Sequence, residues 1–142
     1  MNRLLMTLAI TATAGVLLSS NPIAAQVSPT TKRAASVRIT QGPAPERADD
    51  YLTIIRWTTN NPGGSPEHFG VVRYGTNPKD LSQIAKSPIR LNPDHPQTIF
   101  RVREDGLKPR TRYYYTVEST ESTGKSDGVK SPVSQFTTRG TQ

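Results

Sequence analysis

Only two imidazoles, His68 and His95, and no cysteine stand in this 142-residue sequence, so the side chains that most often perform chemistry are scarce. A dinuclear hydrolytic centre needs several His, Asp and Asn ligands converging on two ions, which two histidines cannot supply. Asp94-His95 is flanked by Pro93 and Pro96 and reads as a solvated turn rather than a metal or acid-base pair. The acid pairs Asp49-Asp50 and Glu104-Asp105 fall at strand ends, where neighbouring carboxylates remain in water, so neither a glycosidase pair nor a calcium site is expected. No Gly-x-Ser-x-Gly elbow occurs, and Gly63-Gly64-Ser65 lacks the lysine and following helix of a phosphate-cradling loop. The expectation is a protein that is not an enzyme, with no catalytic residues, no cofactor and no metal site.

The elements that would position any binding residues are short strands. Apolar runs alternate with turn clusters, 12 prolines collect in the gaps, and no window keeps a helical period for more than one turn. Val37, Ile39 and Gln41 read as an edge strand stopping at Gly42-Pro43-Ala44-Pro45. In Tyr51 to Thr59, Thr53, Ile55 and Trp57 share one face and Leu52, Ile54 and Arg56 the other. His68 to Gly75 sets Val72 and Tyr74 against Phe69, Val71 and Arg73. A short strand near Leu81 to Lys86 and an extended piece at Ile89 to Leu91 follow, then strands at Thr98 to Arg103, Arg112 to Ser119 and Val133 to Thr138. Seven short antiparallel strands predict an all-β sandwich. With no disulfide available, packing alone must hold it.

The amino terminus reads as an address. Arg3 precedes the apolar run Leu4 to Leu18, a polar stretch follows, and Ala25 closes a cleavage site, giving a signal peptide over 1–25. An apolar run this short falls below the roughly 30 Å of a hydrocarbon core at about 1.5 Å per residue. Residues 26–35 read as a flexible linker, 36–139 as the domain and 140–142 as a tail. The mature chain is expected to be secreted or periplasmic and not membrane-spanning. It keeps 17 of the 18 basic residues against 11 acids, a surplus of +6.

Gly106-Leu107-Lys108-Pro109-Arg110-Thr111-Arg112-Tyr113 places Leu, Pro, Thr and Tyr at every second position before Tyr115 and Val117. This resembles the fibronectin type III signature, an immunoglobulin-like sandwich, with Trp57, Tyr74 and Phe136 where that pattern would put them. More narrowly, Trp57-Thr58-Thr59, Val72-Arg73-Tyr74-Gly75 and the run from Gly106 to Tyr115 are similar to the non-catalytic amino-terminal sandwich of purple acid phosphatases. That family's catalytic half is a separate downstream metallophosphatase domain, not expected before Gln142. The predicted core holds Ile55, Trp57, Val72, Tyr74, Leu107, Pro109, Tyr113, Tyr115, Val117 and Phe136, with Tyr113 turning its hydroxyl onto upstream backbone as a tyrosine corner.

Two outward surfaces follow from the alternation. Arg38, Arg56, Arg101 and Arg103 would form a basic stripe on one sheet, and Phe69, Val71, Arg73, Arg112 and Tyr114 a mixed aromatic and cationic face on the other. A loop pair, 60–67 and 119–131, is expected at one end of the sandwich. The function expected is a non-catalytic binding module, with two alternatives: an accessory subunit of a separately encoded envelope hydrolase, or a basic binder of anionic surface polysaccharide. A protein or such a polysaccharide is the expected partner, and nucleic acid is the less favoured polyanion.

Overall fold

A computed structural model describes residue 34 and residues 36–140. The expected leader, its cleavage site and all but residue 34 of the linker lie outside the described residues. Eight strands follow one another: β1 Ile39–Ala48, β2 Thr53–Asn60, β3 Glu67–Gly75, β4 Gln83–Arg90, β5 Gln97–Glu104, β6 Arg112–Glu121, β7 Ser126–Lys130 and β8 Ser134–Thr137. They form two antiparallel layers, one ordered β1-β2-β5 and the other β4-β3-β6-β7 with β8 also on β6. The fold is thus an all-β sandwich.

Alternation decides which side chains meet between the layers. Trp57 and Phe100, cross-strand partners, stack at 5.2 Å on one layer. From the other layer Tyr113 stacks on Phe136 at 5.5 Å, with Tyr74 and Tyr115 at their edges. Ile55, Val72, Val102, Leu107 and Val117 complete the buried cluster. Burying each large side chain contributes roughly 1.5–3 kcal/mol. The opposite layer packs directly onto Gly70, where a Cβ would sit 2.9 Å from Val102 Cγ2 and 3.1 Å from both Phe100 Cδ1 and Trp57 Cη2. Only a residue without a side chain lets the Trp57–Phe100 pair seat against β3.

Four expectations need correction. β1 does not stop at Gly42 but continues through Gly42-Pro43-Ala44-Pro45 to Ala48, with three register shifts against β2 and a cis Gly42–Pro43 bond. An edge strand tolerates prolines at bulges because the missing N–H need not reach a neighbour. Gly42 has φ +74°, and a Cβ there would lie 2.9 Å from the Arg56 carbonyl oxygen. The two pieces around Leu81 and Ile89 are one strand, β4, running over Pro88 on the other layer's edge. The segment after Glu121 is not all loop: it turns through Gly124 (φ +89°) and returns as β7, giving eight strands where seven were expected. Pro109, expected in the core, is exposed at the corner, and Phe100 and Val102 fill the interior instead.

The corner itself closes through Tyr113, whose hydroxyl accepts the Lys108 N–H at 2.9 Å. Leu107 beneath it is buried and donates its N–H to the Tyr51 carbonyl.

Candidate functional site

The outer face of the three-stranded layer carries three of the four stripe arginines. Arg56 stands directly opposite Arg101, and Ile54 opposite Arg103, on β2 and β5. All three arginines are exposed. Arg38 is exposed too but precedes β1 at the far end, where its backbone pairs with Asn60. Acids interleave with the cations: Glu46 accepts from Arg101 Nε at 2.7 Å, Asp105 pairs with Arg103, and Asp49 with Arg47. The carboxylate of Asp105 raises the Arg103 pKa further. No ion pair forms to Arg56 among the described residues, and the exposed Ile99 lies two residues before Arg101 on the same face of β5. Where bulged β1 leaves β2, a cleft of about 230 Å³ opens between Gln41, Ala44, Glu46 and Arg56.

The second predicted face is less open. Arg112 is exposed, Phe69, Arg73 and Tyr114 are half-buried, and Arg73 Nε donates to Glu118 Oε1 at 3.2 Å. Val71, expected outward as contact surface, is buried at 2%. It occupies a central strand between Lys86 and Glu118 in register, and long charged side chains cover apolar positions with their methylene stems.

At one end of the sandwich the structure assembles a polar cluster that the sequence did not single out. The loop pair expected there does meet, through His68. Its side chain is completely buried on the inward face of β3, with Nδ1 2.9 Å from Asp127 Oδ2 on β7 and Nε2 3.1 Å from the Gly63 carbonyl oxygen. Ser119 Oγ donates to the same Asp127 oxygen at 2.7 Å. Burial pulls the imidazole pKa down, but the hydrogen bond and charge of Asp127, the Gly63 carbonyl and the charge of Glu121 outweigh it and leave it raised. Both ring nitrogens face oxygens, so each N–H of the protonated ring finds an acceptor, and the ring bridges loop and hairpin.

Ser, His and Asp together do not make a hydrolytic triad here. A nucleophilic serine must give its proton to the imidazole while the acid holds the other nitrogen. Here Ser119 bonds the acid, the second nitrogen is occupied by a backbone carbonyl, and all three side chains are closed off from solvent. The signal for the cluster was present in the alternation, which sets His68 in phase with Gly70 and Val72. Its partner, Asp127, lies in a Gly-Lys-Ser-Asp-Gly run that reads as an exposed tip.

Glu104 is a second departure. Expected in water, it is buried on the inward face of β5 at 1% exposure, and neither carboxylate oxygen has a hydrogen-bond partner among the described residues. Desolvation, with a smaller push from Asp105, raises its pKa to about 8, its own backbone amide offsetting only part. Its cross-strand neighbour Thr53 directs its hydroxyl to the Arg47 carbonyl instead. Desolvation raises Tyr74 and Tyr115 as well, with the charge of Glu104 adding to each. His95 and Asp94 sit in an exposed loop, Nδ1 of His95 meeting the Gln97 carbonyl.

A sequence model of the purple acid phosphatase N-terminal domain matches residues 44–138, from the β1 bulge to the end of the core. The chain belongs to that family. In purple acid phosphatases this is the non-catalytic sandwich domain, and the motifs around Trp57, Tyr74 and Tyr113 are the strands that build its core here. Two forms of the sensor domain of the anti-sigma factor RsgI4 in Pseudobacteroides cellulosolvens are similar in structure. The long form shows 16% identity over 75% of this chain and 91% of that one at a TM-score of 0.49. The short form shows 19% identity over 75% and 98% at a TM-score of 0.50. At such identity the likeness to the short form speaks to fold alone. Among curated proteins no relative matches significantly. In this member of the purple acid phosphatase N-terminal family, no helix among the described residues is long and apolar enough to cross a membrane.

Proposed function

We propose that the chain is a secreted, non-catalytic binding module that meets a protein partner through the outer face of β1, β2 and β5. The observation that carries this reading is the pairing of Arg56 with Arg101 directly across the strands, beside the cleft at the β1 bulge. Like charges placed opposite one another cost stability, and Glu46 relieves only Arg101. A partner carboxylate seated between the two guanidiniums would relieve both. Ile54 and Ile99 on the same face give the mixture of arginine and apolar surface that protein contacts favour.

A polyanion reads less well, because Glu46 and Asp105 interrupt the stripe and would repel a uniform negative rod. Membership of the phosphatase N-terminal family favours a second reading, an accessory subunit of a separately encoded envelope hydrolase. Export rests on the Leu4 to Leu18 run and its small-residue cleavage site.

The test is capture from envelope extracts at low and high salt with the parent, an Arg56→Gln/Arg101→Gln double variant and an Arg112→Gln control. The double variant should lose the partner by about tenfold or more while the control retains it. Equal capture by all three overturns the assignment of this face. Hydrolase activity in the captured fraction would select the accessory reading, and retention on an anionic column that tracks net charge alone would remove the polysaccharide one.

A further inference from the structure

We propose that His68, Asp127 and Glu121 form a site for one divalent transition-metal ion of the zinc type, joining the β2–β3 loop to the β6–β7 hairpin. Each residue offers one donor atom, and the three donors lie within 4.8 Å of one another. Ligands of a single tetrahedral zinc ion, at bonds of about 2.0–2.2 Å, stand about 3.3–3.6 Å apart, so the most widely spaced pair must draw in by up to about 1.5 Å to close on the ion. The inference is independent of the binding face proposed above, which lies on the other layer.

Three observations point to a cation rather than to a cluster of polar side chains alone. Asp127 is fully buried at its side chain, yet its Oδ1 has no hydrogen-bond partner among the described residues. The Gly63 carbonyl takes the Nε2 proton of His68, the outer contact that fixes a metal-binding imidazole with its other nitrogen turned to the ion. Gly64, at φ +80°, brings the chain against Glu121 so closely that a Cβ would lie 3.0 Å from Oε1.

The donor chemistry selects the ion. One imidazole and two carboxylates carry two negative charges to balance a divalent cation, and three protein ligands leave a fourth position open. Calcium needs six to eight oxygens and magnesium a near-octahedral oxygen shell, neither of which this set provides. Without the ion a proton on Nδ1 holds Asp127, and a cation entering the site displaces that one proton to solvent.

The test uses the purified chain stripped with a chelator and titrated with Zn²⁺ against a chromophoric competitor, with melting followed in parallel. One equivalent should bind, the melting temperature should rise, and Mg²⁺ should do neither. Asp127→Asn and Glu121→Gln should each weaken binding at least tenfold, whereas His95→Gln should leave it unchanged. Glu121 is only half-buried, so its variant keeps the test sound if Asp127→Asn fails to fold. Absence of a one-equivalent site, binding undiminished in Glu121→Gln, or binding lost in His95→Gln would each overturn the proposal.

Discussion

Raising the pH from 5 to 8 should destabilise this domain steeply, because Glu104 must stay protonated to remain folded. Its pKa is about 8 in the native state against 4.5 for the free side chain. Between those values the unfolded chain has released the proton and the native chain still holds it. The native state therefore binds one proton more, and stability falls as pH rises. A gap of that size corresponds to about 5 kcal/mol over the whole titration, at about 1.4 kcal/mol per unit, of which about 3.5 kcal/mol falls between pH 5 and 8. Domains of this length have roughly 5–15 kcal/mol in all, so the loss is a large share, equivalent to a fall in Tm of roughly 15 °C or more. His68 acts with the same sign, since its raised pKa means stability is lost as pH climbs through it. Glu104→Gln separates the two: it keeps the side-chain shape and removes this proton. Thermal melts from pH 4.5 to 8.5 should show a steep decline in the parent and a much flatter curve in the variant. The charges and phenols to hold in mind are Asp105 and Arg103 on its own segment, Tyr74 on β3 and Tyr115 on β6. A parent Tm that is flat or rising from pH 5 to 8, or a variant that declines as steeply, refutes the reasoning.

Gly70→Ala forces a methyl into the 2.9–3.1 Å space beside Val102, Phe100 and Trp57, and should cost about 1–3 kcal/mol in urea denaturation while leaving the secondary-structure spectrum unchanged. Tyr113→Phe removes the acceptor of the Lys108 N–H at the corner and should cost about 1 kcal/mol, read as a lower urea midpoint at constant m-value.

Period-two alternation in the sequence carries most of the sandwich, because a one-residue slip would turn Ile55, Trp57, Val72, Tyr74, Tyr115 and Phe136 to the outside together. It carries less at the edges. Proline signals a break in a central strand but is compatible with an outer one, and nothing local to Gly42-Pro43-Ala44-Pro45 states that the expected edge strand runs on through them, nor anything local to Pro88 that β4 is outermost. The outward arginines were legible for the same reason as the core. Their acid partners were not: Glu46 reaches Arg101 only because the bulged β1 extends past the point where a turn was expected.

Alternation states which way a side chain points and not how much water reaches it. Val71 points outward and is dry; Glu104 points inward and is dry without a partner. Inward positions lose their apolar occupants near the strand ends, and there Glu104 and His68 are buried, Glu104 at the last residue of β5 and His68 at the second residue of β3. On β3, Tyr74, which feels the charge of Glu104, stands six positions after His68, a span of roughly 20 Å along a strand. Polar groups thus close the apolar core at opposite ends. The two ends differ in what they can do. Glu104 meets no side-chain donor and stays neutral until its raised pKa is reached, whereas His68 meets a carboxylate, a carbonyl and a second acid nearby. A buried carboxyl without partners is a cost to stability that varies with pH. A buried imidazole among three oxygen donors is a place for a cation, and that difference sets the metal proposal on His68 rather than on any other group in the interior.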